Sequence, residues 1–161
     1  MRPLLRGRDI KRYTYEYADL YIIATFPAKH YDIDNYPAIK EHLLSYGIER
    51  LEQTGKEYVI NGETIKARKK TNNQWFETQD SISYWDDFNK QKIIWKIIGN
   101  QMAFAIDSER YIVNNACYIL TGTGLKYLLA VLNSKAIKWY SYITNMNKTG
   151  VGDVQVGGGK I

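Results

Sequence analysis

Cysteine, histidine and proline are scarce in this sequence, and each scarcity removes a class of function. A single cysteine, Cys117, in 161 residues leaves no internal disulfide. Two histidines, His30 and His42, put a Cys/His zinc site out of reach. No apolar run approaches the roughly 20 residues of a membrane span. The longest, residues 20–26 and 93–98, are of strand length, so no membrane partner is expected. The opening Met1-Arg2-Pro3-Leu4-Leu5-Arg6 has charge but no apolar stretch behind it, and no signal peptide is expected. A reducing cytoplasm is the expected setting.

What is present is ordinary in bulk and uneven in placement. The apolar content of 45 % and charged content of 24 % suit one globular domain with a single core. The net charge is +5. Residues 1–12 carry Arg2, Arg6, Arg8, Lys11 and Arg12 against Asp9 alone. Residues 56–70 carry Lys56, Lys66, Arg68, Lys69 and Lys70 against Glu57 and Glu63. Residues 76–90 are acidic, with Glu77, Asp80, Asp86 and Asp87 against Lys90. Separated basic blocks suit a chain that follows a phosphate backbone, and equally a solvated surface. The 14 tyrosines fit half-wet binding surfaces as well as strands.

The pattern predicts mixed strands and helices. Residues 4–13 read as an extended opening with a turn or bulge at Gly7. Residues 20–26 read as a buried strand that Pro27 stops. A helix is expected from about Pro37 to Gly55, with Ile39, Leu43, Leu44, Ile48 and Leu51 facing the core and Gly47 weakening its middle. Asn61-Gly62 accepts the positive φ angles of a type I′ turn, so the flanking runs Tyr58-Val59-Ile60 and Glu63-Thr64-Ile65 should pair. Residues 92–98, 102–106, 111–113 and 118–120 read as strands. Residues 125–132 read as a helix with Thr123 as its N-cap, and Ser134 starts a second helix over 136–143. Residues 145–161 carry five glycines and read as a loop or a truncated end.

None of the motifs for catalysis is complete. Thr121-Gly122-Thr123-Gly124 lies between a strand and a helix, but Tyr127 stands where a dinucleotide fingerprint needs its third glycine, and no Gly-Lys-Ser/Thr follows. Asp9-Ile10-Lys11 has nuclease spacing without a preceding acid. Asp86-Asp87 reads as a helix start or a turn. The Asn/Asp-Pro-Pro-Tyr/Phe tetrapeptide of amino-group methylation is missing. Cys117 reads as a small core residue. No catalytic and no metal-ligating residue is assigned.

The exit of the predicted hairpin has different chemistry. Lys66, Arg68, Lys69 and Lys70 can neutralise phosphates, and Asn72, Asn73, Gln74 and Gln79 carry paired donors and acceptors that match base edges. The same composition suits a solvated loop. Arg6, Arg8 and Lys11 form a second candidate block.

Six segments in order carry a family resemblance. They are Arg2-Pro3-Leu4-Leu5-Arg6-Gly7-Arg8-Asp9-Ile10-Lys11-Arg12-Tyr13 with Leu20-Tyr21-Ile22-Ile23, then Tyr36-Pro37-Ala38-Ile39-Lys40-Glu41-His42-Leu43, Trp75-Phe76-Glu77-Thr78-Gln79-Asp80, Lys92-Ile93-Ile94-Trp95, and Tyr127-Leu128-Leu129-Ala130-Val131-Leu132-Asn133-Ser134-Lys135. Over about residues 1–143 the chain resembles the TaqI-like C-terminal specificity domain of bacterial restriction–modification enzymes. The resemblance implies a module that docks on double-stranded DNA and chooses the target. It implies a partner in the same polypeptide, an adenine-N6 methyltransferase domain with or without an endonuclease. S-adenosylmethionine and Mg would belong to that parent enzyme, and no cofactor to this chain. Residues 54–74 depart from the resemblance as an insertion, so specificity does not carry over.

The expectation is therefore an α/β (α+β) fold with a small mixed or antiparallel sheet, a long helix and a C-terminal helix pair. Residues 1–144 would form the target-recognition domain and 145–161 a Gly-rich tail. The DNA-binding residues would be Arg6, Arg8, Lys11, Lys66, Arg68, Lys69, Lys70, Asn72, Asn73, Gln74 and Gln79, in a bacterial cytoplasm. Two alternatives remain: a fragment of a metal-dependent nuclease site, and a protein-docking module that packs on the methyltransferase domain.

Overall fold

A computed structural model describes residues 1–99, 102–143 and 154–155. Along the chain run β1 (Arg2–Leu5), β2 (Tyr21–Ile22), α1 (Pro37–Leu44), α2 (Ile48–Leu51), β3 (Glu57–Ile60), β4 (Glu63–Lys66), β5 (Lys92–Lys96), β6 (Ile98–Gly99), β7 (Phe104–Asp107), β8 (Ile112–Val113), β9 (Cys117–Thr121), α3 (Leu125–Leu132), α4 (Lys135–Ile143) and β10 (Val154–Gln155). The fold is α+β, with small antiparallel and mixed sheets and a C-terminal helix pair. Two compact units share the chain. One is Met1–Ile22 with Tyr84–Ile161, and the other is Ile23–Ser83.

In the first unit β5 is central because its Ile-Ile-Trp run can be buried on both faces. It pairs antiparallel with β7 (Ile94 opposite Ala105) and with β9 (Ile94 opposite Ile119). Alternation sends Ile93 and Phe104 to one face, where Leu125 and Leu129 of α3 close the core with Trp95, Ile106 and Leu120. The N-terminal segment reaches the same sheet, where the Tyr13 N–H donates to the Phe104 carbonyl at 2.9 Å. β1 pairs antiparallel with β2 and parallel with β8.

Gly7 begins a 3-10 turn, Gly7–Asp9, that lies directly on the sheet. A Cβ there would stand 3.2 Å from Lys96 Cβ and 3.3 Å from the Ala116 carbonyl oxygen. The turn expected at Gly7 is present, and close approach is what requires glycine.

Local chemistry predicts the second unit's hairpin correctly. Asn61 at φ 51° and Gly62 at φ 83° turn the chain between β3 and β4, which pair from Glu57–Lys66 to Ile60–Glu63.

Four expectations need correction. The long helix from Pro37 is two short ones, because Gly47 at φ +88° breaks the chain between α1 and α2. No residue of either helix is fully buried. The strand expected over 20–26 is only β2, with Tyr21 exposed. Farther along that run, the Thr25 carbonyl accepts from Thr78 N at 2.9 Å and its hydroxyl donates to the Phe76 carbonyl at 2.6 Å, so the backbone turns to another partner. The N-cap of α3 is Gly124 at φ 68°, not Thr123, and it makes no side-chain cap. In the tail, residues 154–155 form β10, antiparallel to β6, while the rest of 145–161 lies outside the described residues.

Candidate nucleic-acid interface

The opening basic block is arranged by an internal ion pair. Arg6 Nε and Nη2 donate to the Asp9 carboxylate at 2.9 and 2.8 Å, and the Arg6 backbone N–H donates to it at 2.8 Å. Asp9 is 6 % exposed. These hydrogen bonds hold its carboxyl below the ordinary value and raise the guanidinium in turn. Arg8 is exposed and makes no hydrogen bond or ion pair among the described residues. Lys11 is exposed as well, with Glu16 at 3.9 Å.

The basic and amide-rich loop after β4 is held by side chains that bind its own backbone. Arg68 Nε donates to the Leu51 carbonyl at 2.7 Å and Nη1 to that of Glu77 at 2.8 Å. Its Nη2 donates to the carbonyls of Leu51 and Trp75. Burial lowers its pKa. Asn73 Nδ2 donates to the carbonyls of Thr78 and Gln79, each at 3.0 Å. Buried Gln53 donates to the carbonyls of Gln74 (3.1 Å) and Glu77 (2.8 Å) and accepts from Thr71 Oγ1 at 2.7 Å. Glu77 accepts the Gln74 N–H at 2.8 Å. Gln79 reaches only the Lys69 carbonyl, at 3.4 Å.

The loop candidates thus divide by orientation. Arg68 and Asn73 face inward on carbonyls. Lys66, Lys69, Lys70, Asn72 and Gln74 are exposed, and the side chains of Asn72 and Gln74 make no hydrogen bond among the described residues.

A hollow of about 410 Å³ opens beside the loop, lined by His30, Tyr31, Asn72, Gln74 and Glu77. His30 and Tyr31 were missed by sequence reasoning, since some forty positions separate them from the loop. Their local signal is weak: His30 caps a 3-10 turn in the left-handed region, at φ 47°. No lysine or arginine of the described residues lines this hollow. Its amides, imidazole, phenol and carboxylate can exchange hydrogen bonds with a base edge more readily than they can hold a phosphate.

The groups considered for catalysis are placed otherwise. Cys117 is buried, and burial pushes its thiol up to about 12, which keeps it from acting as a nucleophile near neutrality. Asp86 and Asp87 lie in the first turn of a 3-10 helix, Trp85–Asn89, where Asp87 pairs with Lys90 at 2.6 Å. Among the described residues no three histidine, cysteine or acidic side chains gather as metal ligands. No helix among them is long and apolar enough to cross a membrane.

No curated protein matches the sequence. The TaqI-like C-terminal specificity domain family matches residues 2–151, and the chain belongs to that family.

Proposed function

We propose that this chain reads the sequence of double-stranded DNA for a restriction–modification enzyme, and that the loop 66–79 does the reading. One observation carries this assignment. The loop is locked by Arg68, Asn73, Gln53 and Glu77 through its backbone, while Asn72 and Gln74 point outward beside the hollow at His30 and Tyr31. Groups held rigidly in advance lose little conformational freedom on binding, which favours discrimination between bases. The exposed bases Arg8, Lys11, Lys66, Lys69 and Lys70 supply phosphate contacts that are indifferent to sequence.

Catalysis then falls to another domain of the same polypeptide, an adenine-N6 methyltransferase with or without an endonuclease. Among the described residues no side-chain arrangement suits S-adenosylmethionine. The glycine-rich turn between β9 and α3 has Gly124 as its N-cap, and Tyr127, 78 % exposed, stands in place of a third glycine. The cofactor and any Mg would bind in that other domain.

The test is to exchange residues 66–79 for those of a relative in the full enzyme and map methylated sites across a genome. A changed target sequence supports the assignment, and an unchanged one places the reading surface elsewhere.

One observation favours a second role beside the first. Trp139 and Ile143, one turn apart on α4, are 65 % and 55 % exposed. A face of this kind suits packing on the catalytic domain. Association with that domain that needs no DNA and ignores salt would support it.

A further inference from the structure

The first unit has a second concavity, an open cleft of about 630 Å³ where three distant segments meet: Arg6 to Arg8, Lys96 with Ile97, and Asn114 to Ala116. Its volume lies within the roughly 300–1,000 Å³ of ordinary ligand sites. Its chemistry is not that of a nucleoside pocket, because among the described residues no aromatic side chain lines it and a base would find no ring to stack on. No carboxylate of the described residues lines it either.

Charge decides what the cleft can take. Arg6 is neutralised by Asp9 and held in place by it. The side chains of Arg8 and Lys96 make no hydrogen bond or ion pair among the described residues, although the charge of Arg8 helps to hold the Asp9 carboxyl down. Two cations without an ion-pair partner among the described residues therefore face one cleft, beside the amide of exposed Asn115. The floor is rigid as well. Gly7 allows the turn bearing both arginines to lie against Lys96 Cβ and the Ala116 carbonyl. The Asn114 N–H is bound to the Leu5 carbonyl at 3.1 Å and its side-chain oxygen accepts from Cys117 Sγ at 3.3 Å.

The geometry points to a seat for phosphodiester groups of the DNA backbone, with Lys96 and Arg8 as the charge contacts and Asn115 as a neutral donor. This rests on the DNA-reading assignment above and adds to it a phosphate site on the other compact unit. Lys96 escaped the sequence reading because it stands in an apolar strand run, remote from both basic blocks. The cleft contacts only the backbone, so it contributes alike to all sequences and fixes register without choosing a target.

The test uses the 161-residue chain, a duplex of random sequence and inorganic pyrophosphate as a free-anion probe. Lys96→Ala and Arg8→Ala should each weaken duplex binding and reduce the log–log salt slope by about one unit. Lys96→Arg should restore it, and Lys126→Ala, on the exposed face of α3, should leave it unchanged. Arg8 is exposed and unbonded, so Arg8→Ala tests the cleft even if Lys96→Ala disturbs the sheet. Pyrophosphate should shift the amide resonances of Gly7 and Asn115 only at much higher concentration than the duplex does.

If the wild type binds duplex and both alanine variants keep its slope, the cleft assignment falls and the reading loop is untouched. If the duplex does not bind but pyrophosphate does, with loss in Lys96→Ala, the cleft serves a free phosphate ligand and the DNA assignment falls. Binding of neither overturns both.

Discussion

Lys92 and Asp107 stand opposite one another on β5 and β7 and close an ion pair of 2.5 Å, with neither side chain exposed. Lys92 Nζ also donates to the Phe88 carbonyl at 2.9 Å, and Asp107 accepts the backbone N–H of Glu109 (2.8 Å) and Tyr111 (3.0 Å). Burial lowers the lysine's pKa, and Asp107 opposes that shift. Removing one member leaves a buried charge without its partner, at a cost of about 3–5 kcal/mol. Lys92→Met should therefore lower stability by that order in urea unfolding. Adding Asp107→Leu to it should recover only part of the loss, because the two N–H donors of the 109–111 turn then lack an acceptor.

Asp9 gives the fold a dependence on acid. Arg6 holds its folded pKa below that of an ordinary aspartate, so the folded state takes up its proton at lower pH than the unfolded state does. The resulting stability is fully present above about pH 4 and is lost as pH falls through the depressed folded value. Wild type should melt above Asp9→Asn at pH 6, and the gap should narrow toward pH 3. A gap independent of pH would mean that the carboxylate charge is not what holds the Arg6–Asp9 turn.

The loop makes a prediction that separates reading from scaffolding. Replacing Asn72 or Gln74 with Ala should cost about 1–3 kcal/mol on the true site and little on random DNA. Arg68→Ala and Asn73→Ala should instead loosen the loop. Proteolysis near residues 69–79 should accelerate, with binding weakened on every sequence. Equal behaviour of all four variants would abolish the distinction between outward and inward groups.

The five exposed bases Arg8, Lys11, Lys66, Lys69 and Lys70 set the expected salt response. Neutralising about five phosphates gives a log–log slope near −4 to −5. A flat response in a filter-binding or anisotropy titration would show the two basic blocks to be solvated surface.

Asn133 tests how α3 is tied to the sheet. Its Nδ2 donates to the Phe104 carbonyl at 2.9 Å and its Oδ1 accepts the Phe104 N–H at 3.3 Å, so one side chain pairs with the backbone as a neighbouring strand would. Asn133→Leu leaves the buried Phe104 N–H without its acceptor, while the Phe104 carbonyl keeps the Tyr13 N–H, and should cost about 1–3 kcal/mol. Hydrogen exchange at Phe104 should quicken first.

The sequence by itself determined whatever depends on neighbours along the chain. Asn61-Gly62 specifies its hairpin because two consecutive residues must tolerate positive φ. The leucine spacing of 125–132 specifies α3, and the Ile-Ile-Trp run specifies the central strand. Ser134 starts α4 as expected, its Oγ accepting the Ile137 N–H at 3.2 Å. The basic blocks and the loop's amides were legible as chemistry of the right kind. Which of them face outward was decided only by tertiary structure. Arg68 and Lys69 are adjacent and equally basic, yet Arg68 is turned inward by carbonyls of Leu51, Trp75 and Glu77, while Lys69 remains exposed. Lys92 reads as a polar start to a strand until Asp107 appears across the ladder, and Lys96 until Gly7 and Ala116 approach it. Buried carbonyls and carboxylates must find donors, and in a folded chain the nearest donor is often remote in sequence. That requirement belongs to the packed structure, so its outcome is settled only when the segments meet.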